Sequence, residues 1–306
     1  MTRLAKAGGA ILGTVLFGYW IHALGFAQIR AALVGVGWGF LAIVVLGGAR
    51  ESVRALAWMR TVDGPTRLPF RDALAARLAG EAINALVPMG VVIGEPAKAD
   101  HVSHRLAFGT AMRALIVEFA FYSASLPLLF TIAALAFVPA AAVLIVPVIA
   151  FGAIAAQHLA LPGKVRSLVD PLLVFSRRHR QRIGSIAAFE LTYHALAIVE
   201  VYVTLALIAP GRASWTSALV LETMNRGVTI IFKMLPMRIG VDEAGAALVA
   251  ARFDLGSATG VTVALVRKLR LLVWSSVGLL ILLIRSTRAS AGLKLRATQA
   301  ASPVRG

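Results

Sequence analysis

The chain contains no cysteine. Disulfides, thiol nucleophiles and cysteine-ligated metals are therefore excluded. Charge is also scarce: 15% of the 306 residues are Asp, Glu, Lys or Arg, where a soluble domain carries about 25%. Acid is scarcer than base, with 14 acidic against 31 basic side chains. Enzyme signatures are missing too. There is no Gly-x-Ser-x-Gly elbow, no His-Glu-x-x-His zinc motif and no nucleotide-binding motif. No catalytic residue, metal or cofactor is expected.

What remains is apolar. The hydrophobic fraction is 59% and the mean hydropathy is +0.82, which places the chain in a bilayer. The basic residues flank apolar runs. They suit a positive cytoplasmic face held against anionic lipid better than a nucleic-acid surface. Runs long enough to cross are residues 7–27, 31–49, 106–137, 183–209 and 257–284, with a further one between 139 and 163. The apolar run at 7–27 is too long for a cleaved signal peptide and reads as a retained helix.

Two stretches break this pattern. Pro88-Met89 is followed after five residues by Glu95, and Pro236-Met237 after five residues by Glu243. A carboxylate at membrane depth costs about 2.5–3.5 kcal/mol. Irregular backbone there must be buried in protein or line a wet cavity. Two such breaks in the two halves of a chain mark the binding site of an inverted-repeat transporter. The basic segments 50–77, 164–182 and 285–306 should share the cytoplasmic side. Each break region must then return to the side it entered, one from each face. The expected fold is all-α and polytopic, with about six spanning helices and two oppositely oriented re-entrant hairpins. Residues 1–286 form one membrane domain, and 287–306 a basic, disordered cytoplasmic tail.

Arg113 follows the first break, and Arg267 and Arg270 the second. These arginines are expected to attract an anion, or to be neutralised in buried pairs by Glu95, Asp242 and Glu243. Glu81 and Asn84 share a helix face, Glu222 and Arg226 are spaced to pair, and Glu190 and His194 to hydrogen-bond. His101 and His104 read as interfacial rather than as metal ligands. Lys233 and Arg238 are placed to snorkel to the interface.

The stretches RLAGEAINALVPMGVVIGEPAKA and MNRGVTIIFKMLPMRIGVDEAGAALVAARFDLG resemble the lysylphosphatidylglycerol synthase transmembrane-region family. The match is carried by Asn84, Pro88, Gly94, Glu95 and Lys98, and by Pro236, Gly240 and Glu243, with Arg267 further on. Where many members carry Arg, this chain has Lys98. Members with a fused soluble domain make aminoacylated phosphatidylglycerol and move it between leaflets. These 306 residues hold only the membrane part. The resemblance implies a lipid transporter of the plasma membrane with both termini cytoplasmic. Its substrate would be a phospholipid or polyprenyl phosphate, with membrane lipids as the partners. The site would comprise Asn84, Pro88, Glu95, Lys98, Arg113, Asn225, Pro236, Asp242, Glu243, Arg267 and Arg270. An intramembrane lipid-modifying enzyme and a non-transporting partner subunit are the alternatives.

Overall fold

A computed structural model describes residues 26–64, 66–135, 172–232 and 235–301, together with positions 15, 19 and 22. Side chains are described to residue 287. Most of the expected first span, the expected span within 139–163, Lys164, Arg166 and Lys233 lie outside the described residues. Among those described, all regular structure is helical.

The helices are α1 (Phe26–Val36), α2 (Gly39–Thr61), α3 (Phe70–Leu86), α4 (Gly90–His101), α5 (Phe108–Leu135), α6 (Arg180–Ile208), α7 (Trp215–Ile231), α8 (Val241–Arg252) and α9 (Ser257–Ala301). Three of them, α5, α6 and the part of α9 to Thr287, are long and apolar enough to cross a membrane. The bent pair α1–α2 makes a fourth. The expected straight span at 31–49 is corrected by this bend. Gly37 adopts a left-handed φ of 57°, and the chain turns by 97° between α1 and α2. Helix α2 therefore begins only at Gly39, which puts Arg50 at its middle and Arg54 one turn further on. At the other end of the chain, the backbone of α9 runs past Ile284 to Ala301, through the basic stretch read as a tail.

Both breaks are helical hairpins. Pro88 pushes the preceding residue out of the helical region, and Val87 is extended with ψ 135°. Met89 then takes a left-handed φ of 53°, and the chain returns as α4. The second turn uses Met237, Arg238 and Gly240, with φ of 55°, 42° and 86°. A left-handed non-glycine residue costs about 1–2 kcal/mol. Packing offsets this at Met237, which is buried among Leu86, Leu265 and Leu269. The returning arms α4 and α8 have 12 residues each, so each reaches only about 18 Å.

The hairpins open toward opposite ends of the bundle. The mouth of α3–α4 lies at the end where Arg105 meets Asp72, Arg285 meets Asp100 and Arg178 meets Asp63. Burial raises the Asp63 carboxyl, but the hydrogen bond with His179 and the nearby Arg178 leave it below the usual carboxylate range. The mouth of α7–α8 lies at the other end, where Arg212 donates to the Asp254 carbonyl and Leu207 packs over Gly39. The tips meet: the Met237 N–H donates to the Ala85 carbonyl at 3.3 Å.

Helix α9 backs both hairpins through two glycines. A Cβ on Gly260 would sit 2.1 Å from the Ala246 carbonyl oxygen on α8, and one on Gly278 would sit 2.1 Å from that of Leu78 on α3. Small residues permit this backbone approach. By contrast, Gly184 on α6 faces open space. Gly278→Ala should destabilise the protein by about 1–3 kcal/mol through forced separation of α9 and α3. Gly184→Ala should be neutral or stabilising by up to about 1 kcal/mol. Thermal melting of both variants in detergent checks this.

Candidate functional site

The hairpin tips and the middles of α2, α5, α6 and α9 surround a cavity of about 240 Å³. Its wall carries eight Arg and Lys side chains but only four Asp and Glu. The imbalance arises because several partner acids sit behind the arginines, away from the open space.

Glu200 on α6 is one of these. It lies 2.6 Å from Arg50 Nη1 and 2.8 Å from Arg270 Nε, so one carboxylate serves two guanidiniums. Glu222 on α7 does the same. It lies 2.5 Å from Arg226 Nη2 and 3.1 Å from Arg267 Nη2. Tyr193 joins the two sets, its hydroxyl accepting from Arg50 and from Arg226 at 3.2 Å each. Arg54 lies 4.2 Å from the centre of the Tyr122 ring and 5.3 Å from that of Tyr193. Such cation–π contacts help hold guanidiniums close together. Behind Arg54, Glu118 accepts at 2.5 Å and Glu190 lies at 3.7 Å.

The first hairpin carries its own set. Lys98 Nζ is 2.6 Å from both Glu81 and Glu95, and Asn84 Nδ2 donates to Glu95 at 3.2 Å. Glycines make this possible. A Cβ on Gly80 would strike the Lys98 side chain, and one on Gly94 would meet Asn84 Oδ1. Arg77 ties the hairpin outward to Glu51 and Glu118 at 3.4 and 3.3 Å.

The second hairpin is tied to α9 instead. Lys268 reaches Glu243 at 2.5 Å, while Arg238 pairs with Asp242 at 3.1 Å. Glu243 also accepts from the Gly240 N–H at 2.8 Å. It is the third residue of α8, so it caps that helix. Glu95 lies in the interior of α4 and caps nothing. Equal spacing from the two prolines thus conceals two different jobs.

Of the residues singled out from the sequence, Asn84, Glu95, Asn225, Asp242, Arg267 and Arg270 line the cavity. Lys98 and Glu243 bond to the surrounding network, and Pro88 and Pro236 sit at the tips. Arg113 does not join them: it is exposed on α5 and donates to Thr110. The expected pairing also differs. Glu95 and Glu243 take lysines, and Asp242 takes Arg238. Arg267 and Arg270 take Glu222 and Glu200. The Glu222–Arg226 pair and the Glu81–Asn84 contact form as spaced. Glu190 and His194 do not bond each other; His194 Nε2 meets Ser125 Oγ at 2.8 Å. Arg238, expected at the interface, lies in the cavity wall. No cluster of three potential metal ligands occurs among the described residues.

Sequence reasoning missed Arg50, Arg54, Arg77, Glu118 and Tyr193 as site residues. The three arginines were counted as a cytoplasmic flank. Gly37-Trp38 was the signal that could have found them, because a helix starting at Gly39 carries Arg50 to its middle.

Fold and site together define an integral membrane protein with two opposed helical hairpins meeting on a charged centre. The chain belongs to the family described as lysylphosphatidylglycerol synthase TM region, whose model matches residues 7–278. That family places it among membrane proteins related to lipid handling. No curated protein and no solved structure matches the chain.

Removing one partner of a buried pair strands the other and typically costs about 3–5 kcal/mol. Arg54→Gln leaves Glu118 and Glu190 with only Arg77 nearby, so it should destabilise by that amount. Adding Glu118→Gln should recover much of the loss. Thermal melting of the single and double variants measures the coupling.

Proposed function

We propose that this protein moves a lipid with a phosphate-bearing head group between the leaflets of the plasma membrane. The observation that carries this is the cavity at the meeting point of two hairpins that open toward opposite ends of the bundle. Its lining residues lie near the middle of every long helix that contributes. The head group would occupy the cavity while the tails remain in the bilayer. Guanidiniums bind phosphate in a planar fork and stay charged when buried, and six of them line the wall of this one space besides Arg238.

On this proposal the hairpins are re-entrant. An arm of about 18 Å falls well short of a hydrocarbon core about 30 Å thick. The orientation follows from exposed charge. Arg60, Arg67, Arg71, Arg105, Arg177, Arg178 and Arg180 are exposed at one end, against Arg30, Arg212 and Arg252 at the other. The richer end faces the cytoplasm. The buried Arg50, Arg54 and Arg77 drop out of that count, yet the excess survives. Movement is driven by a gradient or runs downhill.

The first hairpin is cross-linked within itself by Lys98 and tied to α2 and α5 by Arg77, whereas the second is fastened to α9 by Lys268, so exposing the cavity requires the touching tips to part.

Reconstitution tests the function. Proteoliposomes should move labelled phospholipid without changing its mass. Changed mass would indicate a lipid-modifying enzyme, and neither movement nor change would leave a partner subunit. The cysteine-free background also permits labelling from one side. A cysteine at Arg178 should react only from the cytoplasm, and one at Arg212 only from outside; the reverse pattern would contradict the orientation.

A further inference from the structure

Resting on the lipid-transport proposal, we infer that the cavity selects a zwitterionic head group, one phosphate and one primary amine. The amine would lie on Glu81 and Glu95 and the phosphate on the row Arg270–Arg50–Arg226–Arg267.

The row is contiguous. Arg270 and Arg50 meet on Glu200, Arg50 and Arg226 on the Tyr193 hydroxyl, and Arg226 and Arg267 on Glu222. Four guanidiniums thus share two carboxylates, which leaves two positive charges in excess. All four arginines line the cavity, and neither carboxylate does. Arg50 Nε is buried with no hydrogen-bond partner, so its donor capacity is unsatisfied.

The opposite excess lies around the first hairpin. Within ion-pair distance among the described residues, Glu51, Glu81, Glu95, Glu118 and Glu190 have only Arg54, Arg77 and Lys98. With every acid counted as ionised, two negative charges are left over there. Three of these acids line the cavity and keep exposed side-chain surface: Glu51 at 17%, Glu81 at 34% and Glu95 at 29%. Around the second hairpin tip, Arg238 and Lys268 balance Asp242 and Glu243.

The whole network is therefore neutral but divided. A neutral occupant with its own separated charges complements both excesses. It also brings no net charge to mid-membrane, where uncompensated charge is costly. An anionic lipid satisfies the arginine row alone and leaves the excess of carboxylates around the first hairpin unmatched.

Binding to the purified full chain in detergent, read by thermal shift and native mass spectrometry, tests this. The probes are dioctanoyl phosphatidylethanolamine, its N-acetyl derivative and dioctanoyl phosphatidylglycerol. The ethanolamine lipid should bind at least about tenfold tighter than the other two, since misplaced like charge is strongly penalised. Glu95→Gln, which keeps a hydrogen bond to Lys98, should erase most of that preference without weakening phosphatidylglycerol binding. Tyr193→Phe should weaken all three. Equal affinity of the N-acetyl lipid or phosphatidylglycerol would overturn the inference. So would recovery of phosphatidylglycerol binding by added sodium or acid, which would assign the carboxylates to a free cation. The two proposals fail separately. Selective binding without movement in proteoliposomes would remove transport alone, and movement of both lipids with equal affinity would remove selectivity alone.

Discussion

Every charge buried in the middle of this helix bundle needs an opposite charge within reach, and that requirement shapes the fold. Breaking a buried pair leaves a stranded ion in a medium that cannot solvate it. The pairs therefore act as constraints between elements distant in sequence. Arg50 fixes α2 against α6 through Glu200, and Arg270 brings α9 to the same carboxylate. Arg54 and Arg77 fix α2 and the first hairpin to α5 through Glu118. Arg267 fixes α9 to α7 through Glu222. Sharing of carboxylates is what leaves the cavity polar. A network of isolated one-to-one pairs would leave less unsatisfied charge facing the open space.

Close backbone contact does the rest. Apolar burial drives little helix association in lipid, so packing of small residues matters more. Gly260 and Gly278 bring α9 against one arm of each hairpin, and Gly94 brings α4 against α3. With both hairpins backed by one helix, their tips come together at the Ala85–Met237 hydrogen bond. The strained turn residues are held there by Leu86, Leu265 and Leu269.

Much of this was legible in the sequence. The Pro-Met repeat with its distant Glu located both hairpins, because proline and a buried carboxylate are each costly in an apolar run. The membrane class, the helical fold and the family followed from composition and motif. The site was only partly legible. Asn84, Glu95 and Asp242 were found because they sit near the breaks, and Arg267 and Arg270 because they stand on the helix that follows the second. Arg50, Arg54 and Arg77 were not, since a basic residue after an apolar run looks the same whether it flanks the membrane or turns inward. The bend at Gly37 decided between those outcomes, and a left-handed glycine leaves no periodic trace. Arg113 failed for a related reason. Order along the chain placed it after the first break, but its position on α5 turns it outward, while Glu118 turns inward.

The central claim is that the cavity between the hairpin tips is the passage for the head group and that the tips part to open it. The most direct measurement joins the tips with Ala85→Cys and Met237→Cys in the cysteine-free chain. Lipid movement in proteoliposomes is then recorded before oxidation, after it, and after reduction. The account predicts that the disulfide stops movement and that reduction restores it. Undiminished movement by fully cross-linked protein would contradict it.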